Sequence, residues 1–173
     1  MRLPHRATAT INSLDCPASV QPSALLASIR RAFRRHSLTI ELLDARTSGE
    51  IDSLFARLDA DKRAQALLVT NDPFYVAQRV QLATLAARYA VPTIYPFREM
   101  AESGGLLSYG PNIVERDRQA GLYVGRVLKG ENPAELPVLQ MNKFELVINL
   151  KAAKALGLSF PNSMQLLADD VIE

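Results

Sequence analysis

The chain has 173 residues, about the size of one domain and too short for two full lobes. Apolar residues make up 48% of it and the net charge is +2, which argues against a disordered protein and against a strongly electrostatic partner. A single cysteine, Cys16, excludes an internal disulfide and a Cys/His zinc cluster. No apolar run approaches the roughly 20 residues that a membrane-spanning helix needs.

Basic residues are concentrated near the start of the chain, where Arg30, Arg31, Arg34 and Arg35 stand close together. They fall within a predicted amphipathic helix, Pro22–His36, and opposite its apolar positions. A solvated helix face explains this pattern better than a nucleic-acid site, because no aromatic residues interleave with the arginines. We therefore expect no nucleic-acid partner.

Strand and helix patterns alternate along the first 128 residues. Strands are predicted over Ala7–Ile11, Leu38–Leu43, Ala66–Thr70, Val91–Tyr95 and Leu106–Tyr109. Helices are predicted over Pro22–His36, Gly49–Asp61, Pro73–Tyr89 and Pro111–Leu128. This alternation predicts an α/β fold, a doubly wound parallel sheet between two helical layers.

The regular alternation of strand and helix patterns ends at Gly130. A strand is predicted over Phe144–Ile148, followed by a short helix, Leu150–Leu156, which Asn149 caps and Gly157 ends. The apolar residues of this tail predict that it packs on a further surface.

Candidate binding residues cluster where the predicted parallel strands end, because ligands of such sheets collect beyond the carboxyl ends of the strands. They are Asn12 and Ser13 after the first strand, Asp72 after the third, Tyr95 at the end of the fourth, and Ser108 and Tyr109 at the end of the fifth. Carboxylate, hydroxyl, amide and aromatic groups suit a small polar ligand.

Structural roles compete with each of these assignments. Asp72 precedes Pro73, an ordinary helix start in which the carboxylate caps the helix. Tyr95 could be a core aromatic, and Ser108 and Tyr109 could serve only to close a loop. Binding and structural roles both remain open at this stage.

Catalytic and cofactor signatures are missing from the sequence. It has no GxGxxG or GxxxxGK[ST] phosphate loop and no GxSxG nucleophile turn, and its two histidines lie at a chain start and a helix end. The acidic pair and lysine of a phospho-acceptor receiver domain are also lacking. We expect no catalysis, cofactor or metal.

Three sequence strings point to a family. Ile94–Glu99 reads IYPFRE, Gly104–Pro111 reads GGLLSYGP, and Lys143–Leu158 reads KFELVINLKAAKALGL. Together with the segment around Asp72 they resemble the substrate-binding proteins of ABC transporters, of the tryptophan/tyrosine-binding type. The resemblance is dense from about Leu38 onward and implies one lobe of a type I periplasmic-binding-protein-like fold.

The resemblance also implies how the chain is organised and what it binds. Such receptors clamp a ligand between two lobes, so residues 1–137 are expected to form the second lobe, and residues 138–173 a tail that normally packs on the first lobe. Asp72 would hold a ligand amino group, Tyr95, Ser108 and Tyr109 would line the wall, and Asn12 and Ser13 would contribute from the first loop. The tail's apolar residues Leu146, Ile148, Ala152 and Leu156 would then need another cover, which predicts a homo-oligomer formed through the tail.

Two functions follow from the resemblance. The first is non-catalytic capture of a small amino-acid-like ligand for an ABC permease. The second is a single-lobe structural or regulatory remnant that self-associates and no longer binds ligand. The family implies a periplasmic or cell-surface location without membrane insertion. Because the chain begins without a recognisable signal peptide, a cytoplasmic location is expected instead if the reading frame is complete.

Overall fold

The structure is a computed structural model that describes residues 7–12, 31, 39–61, 64–139 and 143–173, with the backbone alone for residues 7–12, 39, 59–61 and 64. Its strands are β1 (Ala7–Asn12), β2 (Thr39–Asp44), β3 (Ala64–Val69), β4 (Thr93–Tyr95), β5 (Leu107–Pro111), β6 (Phe144–Asn149) and β7 (Asp170–Ile172). Its helices are α1 (Ser48–Asp61), α2 (Pro73–Ala77), α3 (Arg79–Arg88), α4 (Arg98–Glu102), α5 (Ile113–Leu128), α6 (Leu150–Ala155) and α7 (Asn162–Gln165), with a 3₁₀ turn at Pro133–Glu135.

The described strands form one seven-stranded sheet in the order β2-β1-β3-β4-β5-β6-β7. Strands β1 to β5 run parallel to one another, β6 pairs antiparallel with β5, and β7 runs parallel to β6. The predicted fold class, a doubly wound α/β sheet, is confirmed. Because β6 runs antiparallel to β5, the first residue of β6 lies beside the last residue of β5.

Side-chain caps begin several of the helices, as the sequence predicts. The Asp72 carboxylate accepts the Phe74 N–H at 2.8 Å, and Pro73 occupies the first position of α2. Asn149 caps α6 by accepting the Ala152 N–H at 2.9 Å. The predicted helix Pro73–Tyr89 is instead two helices that meet at Gln78.

Two clusters of apolar side chains hold the sheet and its helices together. The larger one joins β2, β3 and β4 to helices α1 to α4, and its fully buried aromatics are Phe55, Tyr75 and Tyr95. The second packs α6 and the segment after it on β5, around Leu107 and Ala153. Burial of this apolar area is the main stabilising contribution to the fold.

The residues after 143 belong to the same sheet as the strands before them. Ile148 is fully buried, and Leu146, Ala152 and Leu156 pack in the second cluster. The expectation that these side chains lack a cover within the chain is wrong for Ile148. Leu146, Ala152 and Leu156 are partly covered, by β5 and by the tail's own helices. The domain division after residue 137 stays a prediction.

Seven of the large exposed apolar side chains lie in the excursion between β5 and β6. None of the residues of α5 is buried, and Val124 and Leu128 of α5 and Val138 after it are exposed. We call residues 113–139 the arm. A cleft of about 680 Å³ separates α5 from the segment 133–139.

Some predicted features lie outside the described residues. They include Cys16, Ser13 and, apart from Arg31, the predicted helix Pro22–His36.

Candidate functional site

Strand order determines where a ligand site can form in this sheet. Because β1 lies between β2 and β3, the chain turns in opposite directions after β1 and after β3. A crevice opens at such a switch point, beyond the carboxyl ends of the strands. The residues at this crevice are Asn12, which ends β1, and the loop Thr70–Asp72 after β3. The side chain of Asn12 and all of Ser13 lie outside the described part of the chain.

Asp72 is the main charged group at the crevice. It is 8% exposed, and one of its carboxylate oxygens is engaged by the Phe74 N–H. The capping role is therefore real. A carboxylate has two oxygens and about four acceptor positions, so a capping role and a ligand contact are not mutually exclusive.

Carboxylates outnumber cations on the β2 side of the crevice, where Arg46 binds Asp44 at 3.1 Å and donates its backbone N–H to Glu50 at 2.6 Å. Burial raises the pKa of the Tyr75 hydroxyl, and the charges of Asp44, Asp72 and Glu50 raise it further. The same hydroxyl donates to the Ala45 carbonyl oxygen at 2.9 Å. These three carboxylates make the β2–β1–β3 side of the edge favourable for a cationic group such as an ammonium.

Tyr95 and Ser108 lie below the edge, inside the core. Tyr95 is fully buried, and burial raises the pKa of its hydroxyl. Its ring lies where a side chain on Gly105 would otherwise stand. Ser108 is the strand partner of Tyr95, and its Oγ has no hydrogen-bond partner among the described residues. Ligand contact by these two residues stays a prediction, which their burial does not favour.

Tyr109 faces the opposite side of the sheet, since successive side chains on a strand alternate between faces. It is 60% exposed and stacks on Phe144, which is 47% exposed, with ring centroids 5.6 Å apart and planes 22° apart. The structure thus separates Tyr109 from Ser108 and adds an aromatic partner, Phe144, that the sequence did not single out.

The loop after β4 is held in place by a backbone contact and by an arginine. A Cβ on Gly110 would overlap the carbonyl oxygen of Pro96, so the loop can cross β5 only at a glycine. Next in the chain, Arg98 binds Glu102 at 2.9 Å, Asp170 at 2.6 Å and Glu145 at 3.4 Å. One guanidinium therefore joins α4, β6 and β7.

Sequence reasoning missed the Arg98 cluster because its members are far apart in the chain. Arg98 and Glu145 are separated by 47 positions, and Arg98 and Asp170 by 72. The register of β5 with β6 brings them together, and no local pattern encodes that register. The sequence signal is limited to the place of Arg98 in the loop that follows the predicted strand Val91–Tyr95.

The described residues contain neither a group of metal ligands nor a membrane-spanning helix. No three His, Cys, Asp or Glu side chains there are grouped as a metal ion requires. No helix there is long and apolar enough to cross a membrane.

Solved structures with this fold come from several bacteria. A conserved domain protein from Vibrio cholerae O1 biovar El Tor strain N16961 has a TM-score of 0.81 at 19% identity, covering 96% of this chain and 54% of that one. An ABC domain in complex with L-Trp from Streptococcus pneumonia has a TM-score of 0.80 at 24% identity, covering 96% and 55%. A ligand-free, open substrate binding protein with adhesive properties from Clostridium difficile has a TM-score of 0.65 at 17% identity, covering 97% and 54%.

These likenesses show a shared fold, and the chain spans about half the length of the solved structures that it matches. Among curated proteins, no match to the chain was found. The sequence model of one protein family, described as ABC transporter substrate binding protein, matches residues 16–172. Since that match covers nearly all of the 173 residues, the chain belongs to the family of ABC transporter substrate binding proteins.

Proposed function

We propose that the chain is a solute-binding component of an ABC importer, and that it captures a small amino-acid-like ligand without catalysis. One observation carries the proposal. Asp72, a nearly buried carboxylate, stands at the switch point of a doubly wound sheet, on the side of the edge that Asp44 and Glu50 make negative. An ammonium group is the complement of such a site.

Two further observations support an amino-acid-like ligand. The Streptococcus structure with the same fold holds L-Trp. In this chain, the exposed Tyr109 and Phe144 rings offer apolar area at the same edge of the sheet. Asn12 and Ser13 supply the further polar contacts of the proposal, whereas Ser108 remains a predicted contact that its burial does not favour. The partner that receives the ligand is an ABC permease, and we place the protein in the periplasm or at the cell surface.

Titration calorimetry with L-tryptophan, L-tyrosine and L-leucine tests the proposal. The informative variant is Asp72→Asn, which keeps the oxygen that accepts the Phe74 N–H and removes the charge. A hydrogen bond to a charged group contributes about 1.5–3 kcal/mol, so affinity should fall by roughly 10- to 100-fold. Affinity of the wild-type chain is expected to be weak, because one lobe leaves much of the ligand in water.

Asp52→Asn is the matched control. Asp52 is an exposed carboxylate on α1 that accepts a hydrogen bond from Gln81 at 2.9 Å. It should leave the binding heat unchanged. The proposal is wrong if none of the three amino acids gives heat, or if both variants weaken binding equally.

A second function, a self-associating remnant that no longer binds ligand, is favoured by one feature. The arm exposes seven large apolar side chains: Val114, Leu122, Val124, Val127, Leu128, Val138 and Leu139. We propose that any self-association uses the arm, since it exposes seven large apolar side chains, whereas residues 143–173 expose four: Phe144, Leu158, Leu166 and Leu167. Ligand binding separates this candidate from the first, since a remnant would give no heat with any of the three amino acids.

A further inference from the structure

The arm is joined to the sheet at a narrow root. The chain leaves the sheet after Pro111 and re-enters it at Phe144, and these two residues are strand partners. No residue of α5 is buried, so packing does little to fix the arm's direction. What holds the arm relative to the sheet must therefore lie close to this root.

Within itself the arm is well bonded. Tyr123 donates its hydroxyl hydrogen to the Pro137 carbonyl oxygen at 2.7 Å, and Arg126 binds Glu131 at 2.6 Å. These contacts tie the segment after α5 back onto the helix. The arm is thus a single body, and any motion of it is concentrated at its ends.

One carboxylate connects this body to the sheet. Glu145, whose side chain is 12% exposed, offers one oxygen to Arg98 at 3.4 Å and the other to the side-chain amide of Asn112. Asn112 in turn caps α5 by accepting the Glu115 N–H at 2.8 Å. A continuous path of hydrogen bonds therefore runs from α4 through β6 to the first turn of the arm.

We propose that Glu145 is the pivot residue that fixes the direction of the arm relative to the sheet. Charged hydrogen bonds of a nearly buried carboxylate are strong and directional, so both bonds restrict Asn112 and with it the start of α5. Pro111, directly before Asn112, has a fixed φ, which leaves few other backbone rotations at the root. Loss of Glu145 frees the arm while Arg98 keeps Glu102 and Asp170.

Distance distributions between two spin labels test the pivot. The labels are placed at Lys129→Cys on the arm and Lys154→Cys on α6, both exposed positions, in a Cys16→Ser background. The doubly labelled chain is diluted into excess unlabelled chain, so that only distances within one copy are measured, and the distribution for the otherwise unchanged chain should be narrow. Glu145→Ala should at least double its width, whereas circular dichroism should show the same secondary structure.

Glu102→Ala is the matched control, because it removes a carboxylate from Arg98 without touching Asn112. It should leave the distribution narrow. If Glu145→Ala does not fold, Asn112→Asp replaces it, since aspartate still caps α5 but repels Glu145. The proposal is overturned if the unchanged chain is already broad, if the Glu145 or Asn112 variant stays narrow, or if Glu102→Ala broadens the distribution as much.

Discussion

The loop after β4 can pack closely against β5 because residue 110 is a glycine and has no side chain. A Cβ there would overlap the Pro96 carbonyl oxygen, and backbone cannot move aside as a flexible side chain can. We predict that Gly110→Ala lowers the free energy of unfolding by about 1–3 kcal/mol, the usual cost of overpacking. Urea unfolding followed by circular dichroism measures the change.

Gly121→Ala is the control for that prediction. Gly121 lies within α5, and a Cβ there would meet no atom within 4 Å. Alanine favours helix over glycine by about 1 kcal/mol, so this variant should be neutral or stabilising. Equal destabilisation by both changes would show that the Pro96 contact is unimportant.

Individual residues were predictable from sequence where their interactions are local. The capping roles of Asp72 and Asn149 follow from residues two and three positions away, and both are present. The roles of Arg98, Glu145 and Phe144 depend on the pairing of β5 with β6, which joins distant segments. The burial of Tyr95 depends likewise on the side of the sheet that it faces.

Among the elements, α5 is unusual because surface interactions replace packing. Its first turn is stabilised by the Asn112 cap and by Glu115, which binds Arg118 at 2.8 Å. Hydrogen bonds from Arg118 and Gln119 lower the pKa of Glu115 from 4.5 to about 2. The charged form of Glu115 therefore stabilises the start of the helix.

This pKa predicts the acid response of α5. A carboxyl whose pKa is lowered in the folded chain contributes its full stabilisation above pH 4.5 and loses it as the pH falls toward 2. Carbon-13 chemical shifts should therefore show the first turn of α5 losing helical character over that interval. Glu115→Gln should remove most of this pH dependence, and an unchanged response in that variant would contradict the assignment.

Long elements were easier to predict than short ones. Periodicity located α1, α5 and the strands of the parallel sheet to within a few residues. It missed α4, α7 and β7, which have three to five residues each and too few positions to show a period. It also merged α2 and α3, because the break at Gln78 interrupts an apolar pattern that continues on both sides.

At the scale of the whole molecule, the arm and the sheet have opposite character. The sheet buries its apolar residues, while the arm carries seven large hydrophobic side chains that are exposed. Residues 113–139 contain four acidic and four basic residues, so two arms can approach without net electrostatic repulsion. Apolar area of this kind, on a neutral surface, favours association of two copies.

We therefore predict a dimer formed through the arms, detectable by light scattering at high protein concentration. Leu128→Glu places a charge on the arm and should shift the chain to monomer, since a buried unpaired carboxylate costs several kcal/mol. Leu166→Glu is the matched control, because Leu166 is 85% exposed against 81% for Leu128 but lies outside the arm. A monomeric wild-type chain, or a dimer that only Leu166→Glu disrupts, would show that the arms do not pair. The same titrations with amino acids on the Leu128→Glu monomer then report whether ligand binding needs the second copy.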